Sequence, residues 1–321
     1  MRPAASLAPP TGPPPSIAVL LVLMTAILGG CTAVPEIPRW FDAIERMPIH
    51  TILVSGHRIA YLDTGEGPPV ILIHGFGGSL WQWEYQQRAL SAEHRLITLD
   101  VLGSGYSDKP DLEYRPEQLV EFFRGFMDAL NLPRASLIGN SMGAGLAIGM
   151  ALTYPERVDR LVLIGGLPDR IEQKLASPLI RQAIETRVPI WLASLGNWLL
   201  GRSLTETVLR EIVHDSSLLT PAVIDRSHRN RRQASLIGPL LTIARNLPLW
   251  EDGFAKRLGE IRHPTLILWG SQDRVFPPQV GHELHRTIPG STLAVIPNAG
   301  HIPQWEQPQA VNPVLIKFLQ P

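Results

Sequence analysis

Ile138-Gly139-Asn140-Ser141-Met142-Gly143-Ala144-Gly145-Leu146-Ala147-Ile148 sets one serine between two glycines as the chain leaves an apolar run. Glycine weakens strands and helices alike, so a pair of them around a hydroxyl at such a junction needs a reason. The pattern G-x-S-x-G, after a short strand at Ser136 to Ile138 and before an apolar helix at Met142 to Tyr154, supplies one. A sharp strand-to-helix turn lifts Ser141 above the sheet, and the missing Cβ atoms let neighbouring backbone pass closely.

Outward from this turn the chain alternates. Ile49 to Val54 and His57 to Leu62, parted by Ser55-Gly56, read as a hairpin. Buried strands are expected at Val70 to Ile73, Arg95 to Leu99, Ser136 to Ile138, Val158 to Ile164, Thr265 to Trp269 and Thr292 to Ile296. Helices are expected at Trp81 to Leu90, Pro116 to Leu130, Met142 to Tyr154, Pro278 to Thr287 and Gln309 to Leu319. Such alternation gives an α/β fold with a mostly parallel central sheet flanked by helices, and ligands at the carboxyl ends of its strands. Residues 168–250 interrupt it with helical periodicity and no convincing strand, a helical cap inserted between core segments 49–167 and 251–321.

A serine hydroxyl needs a base to take its proton and an acid to orient that base. Of ten histidines, His301 in Asn298-Ala299-Gly300-His301 directly follows the last strand, on the edge where Ser141 should stand. His282 and His285 fall in a helix, His214 and His228 in the cap, His263 before a strand, and His57 and His94 at the wrong strand ends. Asp273, in the loop leaving the Thr265 to Trp269 strand, is the expected acid, and Asp169 after the Val158 to Ile164 strand is the alternative. His74-Gly75-Phe76-Gly77-Gly78 can aim the Phe76 N–H at the same point as the Met142 N–H, an oxyanion hole. His74 reads as a structural hydrogen-bonding residue beside that loop.

With HGFGG, DVLGSGYSDKP from Asp100, PTLILWGSQDRVFP from Pro264 and AGHIPQWEQP from Ala299, in that order around the serine turn, the chain resembles the α/β-hydrolase superfamily from Ile49 to Leu319. The resemblance implies a triad of Ser141, Asp273 and His301, an acyl-enzyme intermediate, and no metal or organic cofactor. Serine rather than aspartate at the turn excludes the dehalogenase and epoxide hydrolase routes, because a serine would be left as a stable ether. Carboxylic esters, short lipids, amides, lactones and the vinylogous diketones split by carbon–carbon bond hydrolases remain. A small or lipid-like hydrophobic ester is the expected substrate. The alternatives are a carbon–carbon bond hydrolase and a non-catalytic ligand-binding protein on the same scaffold.

The cap holds two further stretches. Val188 to Leu200 is almost wholly apolar, and Trp191 and Trp198, seven apart, share a helical face. It reads as packing against the core, with a substrate lining or a lipid-facing surface as alternatives. Arg226 to Arg232, RSHRNRR, reads as a solvated helix face, with attraction to anionic headgroups as its alternative.

The chain has 321 residues, 45% of them hydrophobic, enough for a large core. Twenty-nine acids balance 29 bases, so no global field favours nucleic acid. Its single cysteine, Cys31, excludes an internal disulfide framework. Cys31 follows the apolar run Ile17 to Leu28 and Gly29-Gly30, which resembles a bacterial lipobox. The expected organisation is therefore a signal peptide over residues 1–30, a linker over 31–48 and a lipidated Cys31 tethering the chain in a bacterial cell envelope. An uncleaved signal anchor is the alternative.

Overall fold

The central strands are short apolar segments, and five-residue runs such as Pro-Val-Ile-Leu-Ile bury nearly every side chain. In a computed structural model describing residues 47–320, eight strands form one sheet. They are β1 (His50–Val54), β2 (His57–Thr64), β3 (Pro69–Ile73), β4 (Arg95–Leu99), β5 (Ala135–Asn140), β6 (Val158–Ile164), β7 (Thr265–Gly270) and β8 (Thr292–Ile296). Their order is β1-β2-β4-β3-β5-β6-β7-β8. β2 runs antiparallel to both β1 and β4, and every later pairing is parallel. Every residue of β5 and of β7 is buried, as expected of parallel strands covered on both faces. The leader and Cys31 lie outside the described residues.

Helices α1 (Glu84–Leu90), α2 (Pro116–Ala129) and α3 (Met142–Thr153) connect the first strands. The expected helix start at Trp81 is instead a 3₁₀ turn, Leu80–Trp83, that leads into α1. α2 buries Leu119, Val120, Phe123, Phe126 and Met127 on one face, whereas α3 is buried from Met142 to Ala151 without a break. An all-round apolar helix has to lie inside the molecule. Small residues let α3 press against the sheet: a Cβ on Gly143 would stand 2.2 Å from the carbonyl oxygen of Ile73, and one on Gly139 2.2 Å from that of Gly143. The Gly143→Ala variant therefore has to push backbone from backbone, and should lose about 2–3 kcal/mol of stability, read from its urea midpoint.

Between β6 and β7 lie α4 (Ile171–Lys174), α5 (Pro178–Glu185), α6 (Ile190–Ile212), α7 (Pro221–Arg231), α8 (Ile237–Asn246) and α9 (Leu249–Gly253). Their starts follow local chemistry. Ser177 Oγ accepts the Ile180 N–H at 3.0 Å, Thr220 Oγ1 accepts that of Val223 at 3.4 Å, and each cap is followed by a proline that has no N–H to leave unpaired. After β7 the chain closes with α10 (Pro278–Thr287), α11 (Pro303–Glu306) and α12 (Pro308–Leu319).

Candidate active site

β5 ends at Asn140 and α3 begins at Met142, so Ser141 has to carry the whole reversal. It does so at φ 53° and ψ −115°, a left-handed backbone that a non-glycine residue adopts only when its surroundings force it. Its N–H donates to Ile164 O at 2.8 Å and its carbonyl accepts from Gly145 N at 3.1 Å, which pins the turn between β6 and α3.

Asp273 and His301 arrive from the loops after β7 and β8, and meet. His301 Nδ1 lies 2.8 Å from Asp273 Oδ2, while Asp273 Oδ1 accepts the N–H groups of Val275 at 2.8 Å and Phe276 at 3.0 Å. Both residues are buried. An imidazole whose Nδ1–H is held by a carboxylate presents Nε2 as the free base, and His301 Nε2 has no hydrogen-bond partner among the described atoms. Asn140, beside the serine, donates from Nδ2 to the His301 carbonyl at 3.0 Å, so the serine turn and the histidine loop are joined directly. Ser141 and His301 both line one cavity of about 440 Å³. Asp169, the alternative acid, is half-exposed and paired with Lys174 and Arg170, away from His301.

The loop after β3 also lines this cavity, through Gly75, Phe76, Gly77 and Gly78. The Gly75 N–H is taken by Gln82 Oε1 at 3.1 Å and the Gly78 N–H by Gly75 O at 3.0 Å, which leaves Phe76 and Gly77 as its uncommitted donors. Met142 opens α3, where first-turn N–H groups have no intrahelical acceptor. The loop is braced by His74, fully buried, whose Nε2 accepts the Val101 N–H at 3.0 Å and whose Nδ1 faces Gly75 O at 2.8 Å. That pattern requires the neutral imidazole, and burial lowers the His74 pKa in the same sense.

Two expectations for the cap need correction. Trp191 and Trp198 do share a face of α6, but it is the outer one: they are 69% and 64% exposed, and the cavity is lined instead by Ala193, Gly196, Asn197, Leu200 and Leu204. Helical spacing tells which residues share a face, and the neighbouring elements decide which face turns inward. Arg226 to Arg232 is not a solvated face throughout. Ser227, Asn230 and Arg231, spaced i, i+3, i+4, point into the same cavity, and Arg226 is buried in a double hydrogen bond to Glu84. Arg231 Nε has no partner, and no ion pair holds its guanidinium among the described residues, although Glu211 lines the cavity as well. Burial lowers the Arg231 pKa, yet a guanidinium remains a cation at neutral pH.

Sequence reasoning also missed Glu306. Its buried carboxylate accepts the N–H of Gly300 at 2.7 Å and those of His214 at 2.7 Å and Asp215 at 3.3 Å. His301 N–H donates to Ile212 O, the last residue of α6, at 2.7 Å. The histidine loop is thus bound to the end of the long cap helix.

A family model described as alpha/beta hydrolase fold matches residues 68–308. The chain is 31% identical over 272 residues to the 2-hydroxy-6-oxo-6-phenylhexa-2,4-dienoate hydrolase of Burkholderia cepacia, covering 83% of this chain and 92% of that one. Among solved structures it is similar to a mutant meta-cleavage product hydrolase from Pseudomonas fluorescens IP01 complexed with acetates, at a TM-score of 0.73 and 29% identity over 85% of this chain and 97% of the other. It is also similar to a malate-bound thermophilic esterase from Thermogutta terrifontis, at a TM-score of 0.70 and 28% identity over 84% and 96%.

Proposed function

Because the chain belongs to the α/β-hydrolase fold family, we propose that it is a serine hydrolase that cleaves a carbon–carbon bond beside a ketone in an acidic, vinylogous diketone. The observation that carries this reading is Arg231, a half-buried cation with no ion-pair partner among the described residues, in the largely apolar cavity that Ser141 and His301 line together with Glu211. A simple hydrophobic ester, the substrate favoured by the sequence, has no use for it. A substrate with a carboxylate at one end and an apolar group at the other, as in the name of the Burkholderia relative, uses both.

In such a substrate Ser141 Oγ adds to the ketone carbon while His301 Nε2 takes its proton, and the oxyanion is received by the Phe76 and Met142 N–H groups. Carbon is a poor leaving group unless its electron pair can spread. In the 2-oxo tautomer, reached when the 2-hydroxyl proton moves to C5, the pair left by the broken C5–C6 bond runs through the adjacent double bond to the C2 oxygen, which takes the imidazolium's proton, so a 2-hydroxydienoate leaves. Water, deprotonated by His301, then opens the acyl ester, so that the net addition is one water across the bond. Arg231 holds the carboxylate next to that C2 oxygen and favours the charge developing there.

Kinetics on a phenyl-substituted 2-hydroxy-6-oxo-dienoate beside a p-nitrophenyl ester series test this. The dienoate should have the higher kcat/KM; an ester turned over well with the dienoate inert overturns the reading in favour of an esterase. Arg231→Met should raise KM for the dienoate by about 10- to 100-fold, the loss of one charge-assisted pair, and change KM for a neutral ester little.

A further inference from the structure

The outer face of α6 has no partner among the described residues. Ile190, Trp191, Leu192, Leu195, Trp198 and Leu199 are all exposed, the last at 62%, along one side of a single helix. Scattered exposed leucines are ordinary, but a contiguous stripe of this size with two tryptophans marks a surface that something apolar covers. Its length does not make it a membrane span: no described helix is long and apolar enough to cross a bilayer.

We propose that this face of α6 seats the protein on the surface of an anionic lipid bilayer. Three observations favour lipid over a protein partner. First, the face is amphipathic in the manner of interfacial helices, with tryptophan and leucine outward and a polar or small inner side of Gly196, Asn197 and Thr205. Second, positive charge is in excess beside it: from residue 187 to 205 the only charged side chains are Arg187 and Arg202, both exposed, while the acids next to them, Glu206 and Asp225, are paired with Arg202. Arg202, which bonds Asp225 at 2.8 Å, stands one turn beyond Trp198, and Arg229 and Arg232 of the neighbouring helix segment are exposed too. Third, Leu200 and Leu204 are both solvent-exposed and part of the cavity wall, so the cavity opens beside the apolar face. An apolar compound dissolved in the bilayer would reach Ser141 without crossing water. The proposal is independent of which bond is cleaved. It needs no covalent anchor, although the apolar run Ile17 to Leu28 and Cys31 upstream would keep the chain near a membrane.

The test places a single label on the face. In the full chain, Cys31→Ser removes the native thiol, and Leu199→Cys, or Gln309→Cys on exposed α12 as a control, carries an environment-sensitive fluorophore; retained turnover of a p-nitrophenyl ester shows that each variant folds. On phosphatidylglycerol vesicles bearing nitroxide lipids, the label at 199 should shift to the blue and be quenched severalfold, the label at 309 should do neither, and phosphatidylcholine vesicles should quench 199 less. A label at 199 as unresponsive as that at 309, even in a chain that sediments with vesicles, overturns the proposal. So does quenching equal on both lipids. A label already shielded before vesicles are added also overturns it, and the mass then tells whether a second copy or the chain's own N-terminal segment is the cover.

Discussion

Ser141→Ala lowers kcat by about 10⁶-fold and abolishes covalent labelling by a fluorophosphonate, while leaving the fold intact. The first half follows from chemistry: without Oγ no acyl-enzyme forms, and the Phe76 and Met142 donors have only a water-attacked carbonyl to stabilise. The second half follows from backbone. Alanine keeps the Cβ that makes φ 53° costly, so it neither adds nor relieves strain. Ser141→Gly separates the two properties. It is equally inactive, but glycine adopts this conformation freely, and a left-handed non-glycine residue costs about 1–3 kcal/mol. Its urea midpoint should therefore exceed that of Ser141→Ala by an amount worth about 1 kcal/mol. If Ser141→Ala retained more than about a thousandth of the activity, catalysis by this serine would be wrong.

The core of the molecule was legible because its physics is local. A run such as Val-Ile-Leu-Ile between turn residues has no other stable use than a covered strand, and β3, β4, β6 and β8 lie within a residue of where the pattern puts them. The catalytic candidates were legible for a related reason: each sits in the loop that leaves a strand at its carboxyl end, and a parallel sheet brings those ends together. The cap obeys different rules. Its helices announce themselves by periodicity and by Ser177 and Thr220 caps, but the sheet does not dictate how they dock. The inward turn of Ala193, Gly196 and Asn197, and the outward turn of Trp191 and Trp198, are set by α7 and α8, which the pattern of α6 does not contain. Arg231 was hidden by its neighbours, since a basic run looks solvated until one asks which of its members stand three and four apart. The hydrogen bond from His301 to Ile212 O is backbone to backbone across 89 positions, and leaves no trace in side-chain identity.

Asp273→Asn tests the other half of the triad, and its effect can be argued from the groups around the carboxylate. Oδ1 accepts two backbone N–H groups, from Val275 and Phe276, which an amide NH₂ could not face without setting donor against donor. The asparagine oxygen is therefore forced into that position, and its NH₂ is forced toward His301 Nδ1. Nδ1 then has to accept, the ring proton moves to Nε2, and the atom that should receive the serine proton already carries one. The residue is nearly isosteric and buried in the same place, so stability should change little while kcat falls by about 10⁴-fold at neutral pH. The imidazole proton bound at Nδ1 should resonate far downfield in the proton spectrum of the parent and be absent from that of the variant. A variant within tenfold of the parent, or one that keeps the downfield proton, would show that Asp273 does not set the tautomer and that the base is oriented by some other group.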